Sequence, residues 1–267
     1  MQLPMPSHPA LRRAMAFALT LLLAACAHAP PHNPLARWVP SPNFNARQPM
    51  LIVLHYTEQH SMRQSLETLR TDNRSGRVSA HYLIGRDGRI DQLVADRMRA
   101  WHAGPGLWGT ISDLNSASIG IELDNDGHEP YPPPQIDSLL RLLADLTTRL
   151  HIPPAQIIGH EDLAPTRKND PGPYFPWAQL AAAGYGRWPK PPLCDPPPGF
   201  DPWMALALVG YPLDDRRAAV HAFHNHFRGM QGDTLDREDR RILYNLAQQI
   251  DGGPTCPAPL QAQGAAR

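Results

Sequence analysis

The sequence lacks an excess of either charge: 25 lysines and arginines balance 25 aspartates and glutamates over 267 residues. A nucleic-acid-binding surface needs a basic face, so that class of partner is excluded. It also lacks an apolar run long enough to span a bilayer. Residues 14–25 are apolar behind Arg12 and Arg13, and they fall short of the roughly 20 residues a spanning helix needs. Cysteine is scarce, three residues, which limits intramolecular stapling to one bridge. No compact His-Glu-x-x-His pattern occurs, so any metal site must gather its ligands from separate segments.

Proline is abundant: 31 residues, much of it in tracts at 28–40 and 189–202. Such tracts read as extended linkers. The basic pair, the apolar run and Leu23-Ala24-Ala25-Cys26 form an export signal. Small residues before a cysteine resemble the lipobox of bacterial lipoproteins, in which the cysteine is acylated and becomes the new N-terminus. An ordinary signal peptide with a chance cysteine is the alternative. The stop of the apolar run at Cys26 and the Pro-rich stretch after it favour lipidation. Ala27, rather than aspartate, follows the cysteine, which by the same resemblance implies the outer membrane, facing the periplasm. Export places Cys194 and Cys256 in an oxidising compartment, which favours a disulfide over two separate thiols.

The apolar run at 50–54 reads as a strand buried on both faces, ending at His55-Tyr56-Thr57. Ser61 suits a helix N-cap before Met62, Ser65, Leu66 and Leu69. Residues 79–93 read as a hairpin around Asp87-Gly88. A strand at 118–123 turns Glu122 away from Ile119, Ile121 and Leu123. A long helix starts at Pro132–Pro134 and carries Ile136, Leu139, Leu140, Leu143, Leu146 and Leu150 on one stripe. A short strand at 156–159 leads into His160. The expected fold class is α/β: a mixed central β-sheet flanked by helices, followed by a small all-α three-helix domain. The expected organisation is a signal peptide and lipobox at 1–26, a tether at 27–40, a main domain at 41–187, a linker at 188–202 and the helical domain at 203–257.

Reactive side chains concentrate in the stretch 157–177, which holds His160, Lys168 and Asp170. Two imidazoles and one carboxylate with a vacant fourth position make a catalytic zinc site, and His55 at a strand end is the candidate partner. Spacing alone leaves this weak, because 13 histidines are present and most histidines are hydrogen-bonded or at the surface. His81 is read as a substrate contact or a fourth ligand, against a strand histidine paired with the backbone. His102 and Trp108 are candidate substrate contacts, against structural roles in their loop. His221, His224 and His226 read as a solvated helix face rather than a second metal site, because no carboxylate completes them.

Five motifs occur in order: His55-Tyr56-Thr57, Ser79-Ala80-His81-Tyr82, Trp101-His102-Ala103-Gly104, Ser118-Ile119-Gly120-Ile121-Glu122, and Gly159-His160-Glu161-Asp162 through Arg167-Lys168-Asn169-Asp170-Pro171-Gly172-Pro173. Together they resemble the zinc-dependent N-acetylmuramoyl-L-alanine amidases of the type 2 family, which includes peptidoglycan recognition proteins. The resemblance covers about 51–177. It implies one zinc ion held by His55, His160 and Asp170, with Glu122 as the acidic catalytic residue and Lys168 stabilising the oxyanion. Some relatives place a tyrosine just before the position of His81; here that position is Ala80, which leaves the proton work to Glu122. The helical domain resembles, more loosely, the peptidoglycan-binding domain of lipoprotein members. The implied activity is cleavage of the amide between the lactyl group of N-acetylmuramic acid and L-alanine. The implied partners are peptidoglycan and muropeptides, with the membrane reached only through the lipid anchor, and a monomer is expected. The competing readings are a peptidoglycan-binding or sensing lipoprotein without turnover, and a zinc peptidase acting within the stem peptide.

Overall fold

A computed structural model describes residues 33–46, 49–73 and 76–256. Cys26 and the export signal lie outside the described residues.

Nine of the elements in the main domain position the site. They are β1 (Arg37–Trp38), β2 (Leu51–Tyr56), α1 (Met62–Arg70), β3 (Tyr82–Ile84), β4 (Ile90–Gln92), β5 (Ser118–Leu123), α2 (Pro133–Arg149), β6 (Ile157–Gly159) and the single-turn α3 (His160–Leu163). A short helix, α4 (Trp177–Ala182), closes it. The six strands form one sheet in the order β1-β4-β3-β5-β2-β6. All pairings are parallel except the β3–β4 hairpin.

The sheet is covered on both faces, which is why its central strands read as unbroken apolar runs. On one face α2 lays down Ile136, Leu139, Leu142, Leu143 and Leu146 against Ile52, Leu54, Ile119 and Ile121. Leu140 and Leu150, expected on the same stripe, pack at its margin. On the other face Leu51, Val53 and Ile158 meet Ala103, Leu114 and Leu163. Ser61 caps α1 by accepting from the Gln64 amide.

Register positions the chemistry. His55 lies opposite Glu122 in the β2–β5 ladder, and Gly159 lies opposite Leu54 in the β2–β6 ladder. The carboxyl ends of three neighbouring strands therefore deliver His55, Glu122 and His160 to one edge of the sheet. That edge is where open parallel sheets bind ligands.

One expectation needs correction. The described part of the 27–40 tether, residues 33–40, is not slack: Arg37 and Trp38 add a strand parallel to β4. Asn33 is buried, its amide donating to Gln92 Oε1 and its side chain to Asp145 Oδ2. Backbone pairing and a buried side-chain network override the local preference of a Pro-rich segment. The 188–202 stretch forms no element until α5 begins, as expected, yet it is pinned. The Lys190 amide donates to Asn245 Oδ1 and its carbonyl accepts from Asn245 Nδ2.

The C-terminal region forms three helices, α5 (Pro202–Val209), α6 (Arg216–Arg228) and α7 (Arg237–Ile250), around Leu206, Val220, Phe223, Leu243 and Leu246. Asp201, Asp215 and Asp236 cap their N-termini. Cys194 and Cys256 are disulfide-bonded and close a loop across 62 positions. Replacing both by serine is expected to cost about 2–4 kcal/mol, read as a lower urea midpoint of the full chain. An unchanged midpoint would show that closing this loop adds nothing.

Candidate active site

His55 Nδ1, His160 Nδ1 and Asp170 Oδ2 form a near-equilateral triangle with sides of 2.9, 3.0 and 3.1 Å. All three residues are buried, and no other cluster of three or more metal-ligating side chains occurs among the described residues. Three like-oriented lone pairs do not crowd together in a dry pocket unless something binds them. Tetrahedral zinc with bonds of 2.0–2.2 Å would set its ligand atoms about 3.3–3.6 Å apart. The triangle thus fits a small N/O-ligated cation after a slight expansion. It is too tight and too nitrogen-rich for calcium, which takes six to eight oxygens.

The electrostatics agree with a ligand set. Burial pulls the His55 imidazole down to about 4, reinforced by the neighbouring His160, so it is neutral at physiological pH, as ligation requires. Burial alone would raise the Asp170 carboxyl, but the two imidazoles outweigh it and hold the group well below the usual carboxylate range.

Each imidazole is steered by its other nitrogen, and one loop supplies both partners. With Nδ1 facing the triangle, His55 Nε2–H donates to His102 Nδ1 at 3.0 Å. His102 Nε2–H then donates to Ser118 Oγ at 3.2 Å, and that hydroxyl donates to the Leu114 carbonyl. His160 Nε2–H donates to the Ala103 carbonyl at 2.8 Å. The loop is fixed in turn: Asn115 Oδ1 accepts from the amides of both His102 and Ala103. Partners of this kind set the tautomer and ring orientation of metal-binding histidines. Gly120 makes room for the arrangement, since a Cβ there would stand 2.4 Å from the His102 ring.

The triangle opens into a cleft of about 240 Å³ whose lining includes Glu122, Lys168, Trp101, Thr57 and Asn169. Glu122 Oε2 has no hydrogen-bond partner within the protein. Burial, and then the charge of Asp170, push its carboxyl well above the ordinary glutamate range, with Lys168 opposing. A carboxyl so placed is suited to take up and release a proton. Lys168 is half-buried at the rim, on a turn fixed by its amide donating to the Ala164 carbonyl.

The structure thus brings His55, His160, Asp170, Glu122 and Lys168 to one cleft. It places others elsewhere. His81 is fully buried and does not line the cleft. Its Nδ1 accepts from the Gly120 amide and its Nε2–H donates to the Met98 carbonyl, so neither nitrogen is left for substrate or metal. Trp108 stacks edge-on against Tyr211 of the helical region instead of lining the cleft. His102 does line the cleft, but its ring nitrogens serve His55 and Ser118. The helix face expected to be solvated is also corrected. His224 and His226 are buried, and each meets a carboxylate: Asp239 for His224 and Asp162 for His226. Sequence reading missed Ser118 and Asn115 as supports, although Ser118 opens one of the five motifs.

Residues 45–173 match the family model described as N-acetylmuramoyl-L-alanine amidase. Over 232 residues the chain is 38% identical to the N-acetylmuramoyl-L-alanine amidase AmiD of Escherichia coli (strain K12), which covers 74% of this chain and 82% of that protein. The fold is similar to that of E. coli AmiD in complex with the substrate anhydro-N-acetylmuramic acid-L-Ala-D-gamma-Glu-L-Lys, with a TM-score of 0.66 at 33% identity over 84% of this chain and 93% of that one. It is similar as well to AmpDh3 from Pseudomonas aeruginosa in complex with anhydromuramic pentapeptide, with a TM-score of 0.68 at 34% identity over 76% and 93%.

Substituting His55, His160 or Asp170 by alanine is expected to abolish metal binding, measured by competition with a chromophoric chelator. His102→Ala, which leaves all three ligands in place, is expected to weaken it about 10–100-fold. Equal affinity in His102→Ala and the unaltered chain would show that the loop does not orient His55.

Proposed function

This chain belongs to the N-acetylmuramoyl-L-alanine amidase family, and on that premise we propose how its residues cleave the amide between N-acetylmuramic acid and L-alanine of peptidoglycan, and where they do so. The observation that carries the reading is the His55–His160–Asp170 triangle with Glu122 directly across the ladder from His55.

Zinc is the metal the donor set suits best: two neutral imidazoles, one carboxylate and an open position. When bound, it supplies Lewis acidity and brings the pKa of a coordinated water to about 7. The remaining work falls to side chains. Glu122 takes the proton from the attacking water and passes it to the departing nitrogen of L-alanine, which would otherwise leave as an unstable amide anion. The half-buried Lys168 places a cation at the rim where negative charge develops on the carbonyl oxygen. Tyr56, fixed by its hydroxyl donating to Asn169 Oδ1, and Trp101 form walls that hold the muramyl-peptide junction.

Location follows from the sequence signal. Cys26 is lipidated and anchors the enzyme to the outer membrane, facing the periplasm. Among the described residues no helix is long and apolar enough to cross a membrane. The helical region binds polymeric wall. Support comes from its place after the catalytic domain and from a surface cavity where Arg216 lies over the Trp203 ring, 4.6 Å from its centre. The enzyme acts as a monomer.

Purified enzyme loaded with zinc should release free stem peptide from sacculi, with L-alanine as the new N-terminus by mass spectrometry. Products cut within the peptide would identify a peptidase instead. Glu122→Gln should lower kcat by about 10²–10⁴ without loss of zinc, and Lys168→Ala by about 10²–10³. In the metal-free protein, burial and then Asp170 raise the Glu122 carboxyl, so its titration, followed by carboxyl NMR, should lie above the ordinary glutamate range. A titration at the ordinary glutamate pKa would remove burial from the account.

A further inference from the structure

The turn that carries His160 has two neighbours with no role in the chemistry above. Glu161 and Asp162 are both fully buried. A buried carboxylate needs hydrogen-bond donors to hold it. Two of theirs come from the catalytic domain. Glu161 Oε1 accepts from the Gly172 amide, and Asp162 Oδ2 accepts from the Gly159 amide at 2.7 Å. The Glu161 amide itself donates to the Asp170 carbonyl at 2.8 Å. The Glu161 bonds tie α3 to the segment that delivers Asp170, so two of the three ligand-bearing segments are knotted together through Glu161, while Asp162 fixes the start of the turn that carries His160.

The other three come from the helical region. Asn225 Nδ2 donates to Glu161 Oε2 at 2.7 Å. Tyr211 Oη–H donates to Asp162 Oδ1 at 2.5 Å, and His226 Nδ1–H donates to Asp162 Oδ2 at 2.7 Å. The His226 ring also stacks on Trp177, with centroids 3.7 Å apart. The Gly109 amide donates to the Gly210 carbonyl, and Trp108 packs on Tyr211. None of these donors is a charged lysine or arginine on a flexible stem. Asn, Tyr and His fix the direction of the bond as well as its existence.

We propose that the C-terminal helices are part of the metal site's support: Asn225, Tyr211 and His226 are positioning residues that set, through Glu161 and Asp162, where His160 and Asp170 stand. The inference rests on the zinc-amidase reading. It gives the helical region a second task, separate from holding wall polymer. Losing the Asn225 donor leaves Glu161 Oε2 buried without a partner, a costly state. The side chain relieves it by moving toward a new donor, and it carries the Gly172 amide with it. The ligand triangle then opens or skews.

The test uses the full chain and zinc itself, titrated against a chromophoric chelator well below the unfolding temperature of each variant. Asn225→Leu keeps a similar volume and removes the donor to Glu161 Oε2; it is expected to weaken zinc binding about fivefold, by the usual net worth of one hydrogen bond. Tyr211→Phe removes a donor to Asp162 without changing shape and is expected to weaken it by a similar factor, while sacculus binding stays unchanged in both. Wild-type zinc affinity in a folded Asn225→Leu protein overturns the proposal. If Asn225→Leu does not fold, equal affinity in Tyr211→Phe overturns it. An unaltered chain that binds no zinc sinks the metal reading itself, a result distinct from variants that match it.

Discussion

The parallel ladder between Leu51–Tyr56 and Ser118–Leu123 sets His55 opposite Glu122, and the rest of the site is built outward from that pairing. Both strands are buried on both faces, so neither can slip by one residue without turning core side chains to the wrong side. A slip would also separate His55 from the Glu122 carboxyl. The adjoining ladder with Ile157–Gly159 then brings His160 alongside, one residue past the strand. Hydrophobic burial, which has no direction of its own, is converted by strand register into a placement of reactive groups. Asp170 is the one ligand that this mechanism cannot place. It arrives on a loop and is held by backbone contact with α3.

Around the ligands the structure uses polar contacts where a packing argument would have predicted apolar ones. His102, Ser118 and Asn115 fix one side. Glu161, Asp162 and their three partners from the helical region fix the other. Apolar residues of similar volume would pack at less desolvation cost, but they would not define an orientation. A metal site needs orientation, since a ligand rotated by a few tens of degrees no longer points its lone pair at the cation. The buried polar shell therefore makes sense as directional support rather than as a source of stability.

Much of this was legible in the sequence. The apolar runs, the Asp87-Gly88 hairpin and the α2 stripe are short-range signals of period and turn chemistry, and they correspond to strands and helices in the fold. The five candidate positions that share the cleft were legible only as a set of ordered motifs, because no spacing rule links residues 105 and 115 positions apart. What stayed hidden shares one cause. His226 meets Asp162 across 64 positions, and His102 meets His55 across 47. Such contacts leave no periodicity to find. The solvated face expected of α6 failed for that reason: a helix buried on two sides by different neighbours looks locally like a polar one. The described end of the expected tether failed similarly, since strand addition by Arg37–Trp38 depends on an open sheet edge that local composition does not report.

The Pro-rich stretch before the helices shows how far composition can mislead about mechanics. It does mark where regular elements stop. It does not mark a slack joint, because Lys190 exchanges two hydrogen bonds with Asn245, Gln249 donates to the Trp188 carbonyl, and a disulfide closes the region from Cys194 to Cys256. A module that gripped polymer at arm's length would need a flexible connection with many reachable distances. Here the helices are locked against the ligand-bearing turn, so any wall segment they hold lies at one offset from the cleft. Binding there would favour bonds at that offset and leave others to free diffusion. On the proposed reading, in which the helices both support the metal ligands and hold polymer, the same rigidity ties recognition of the polymer to the geometry of the cut.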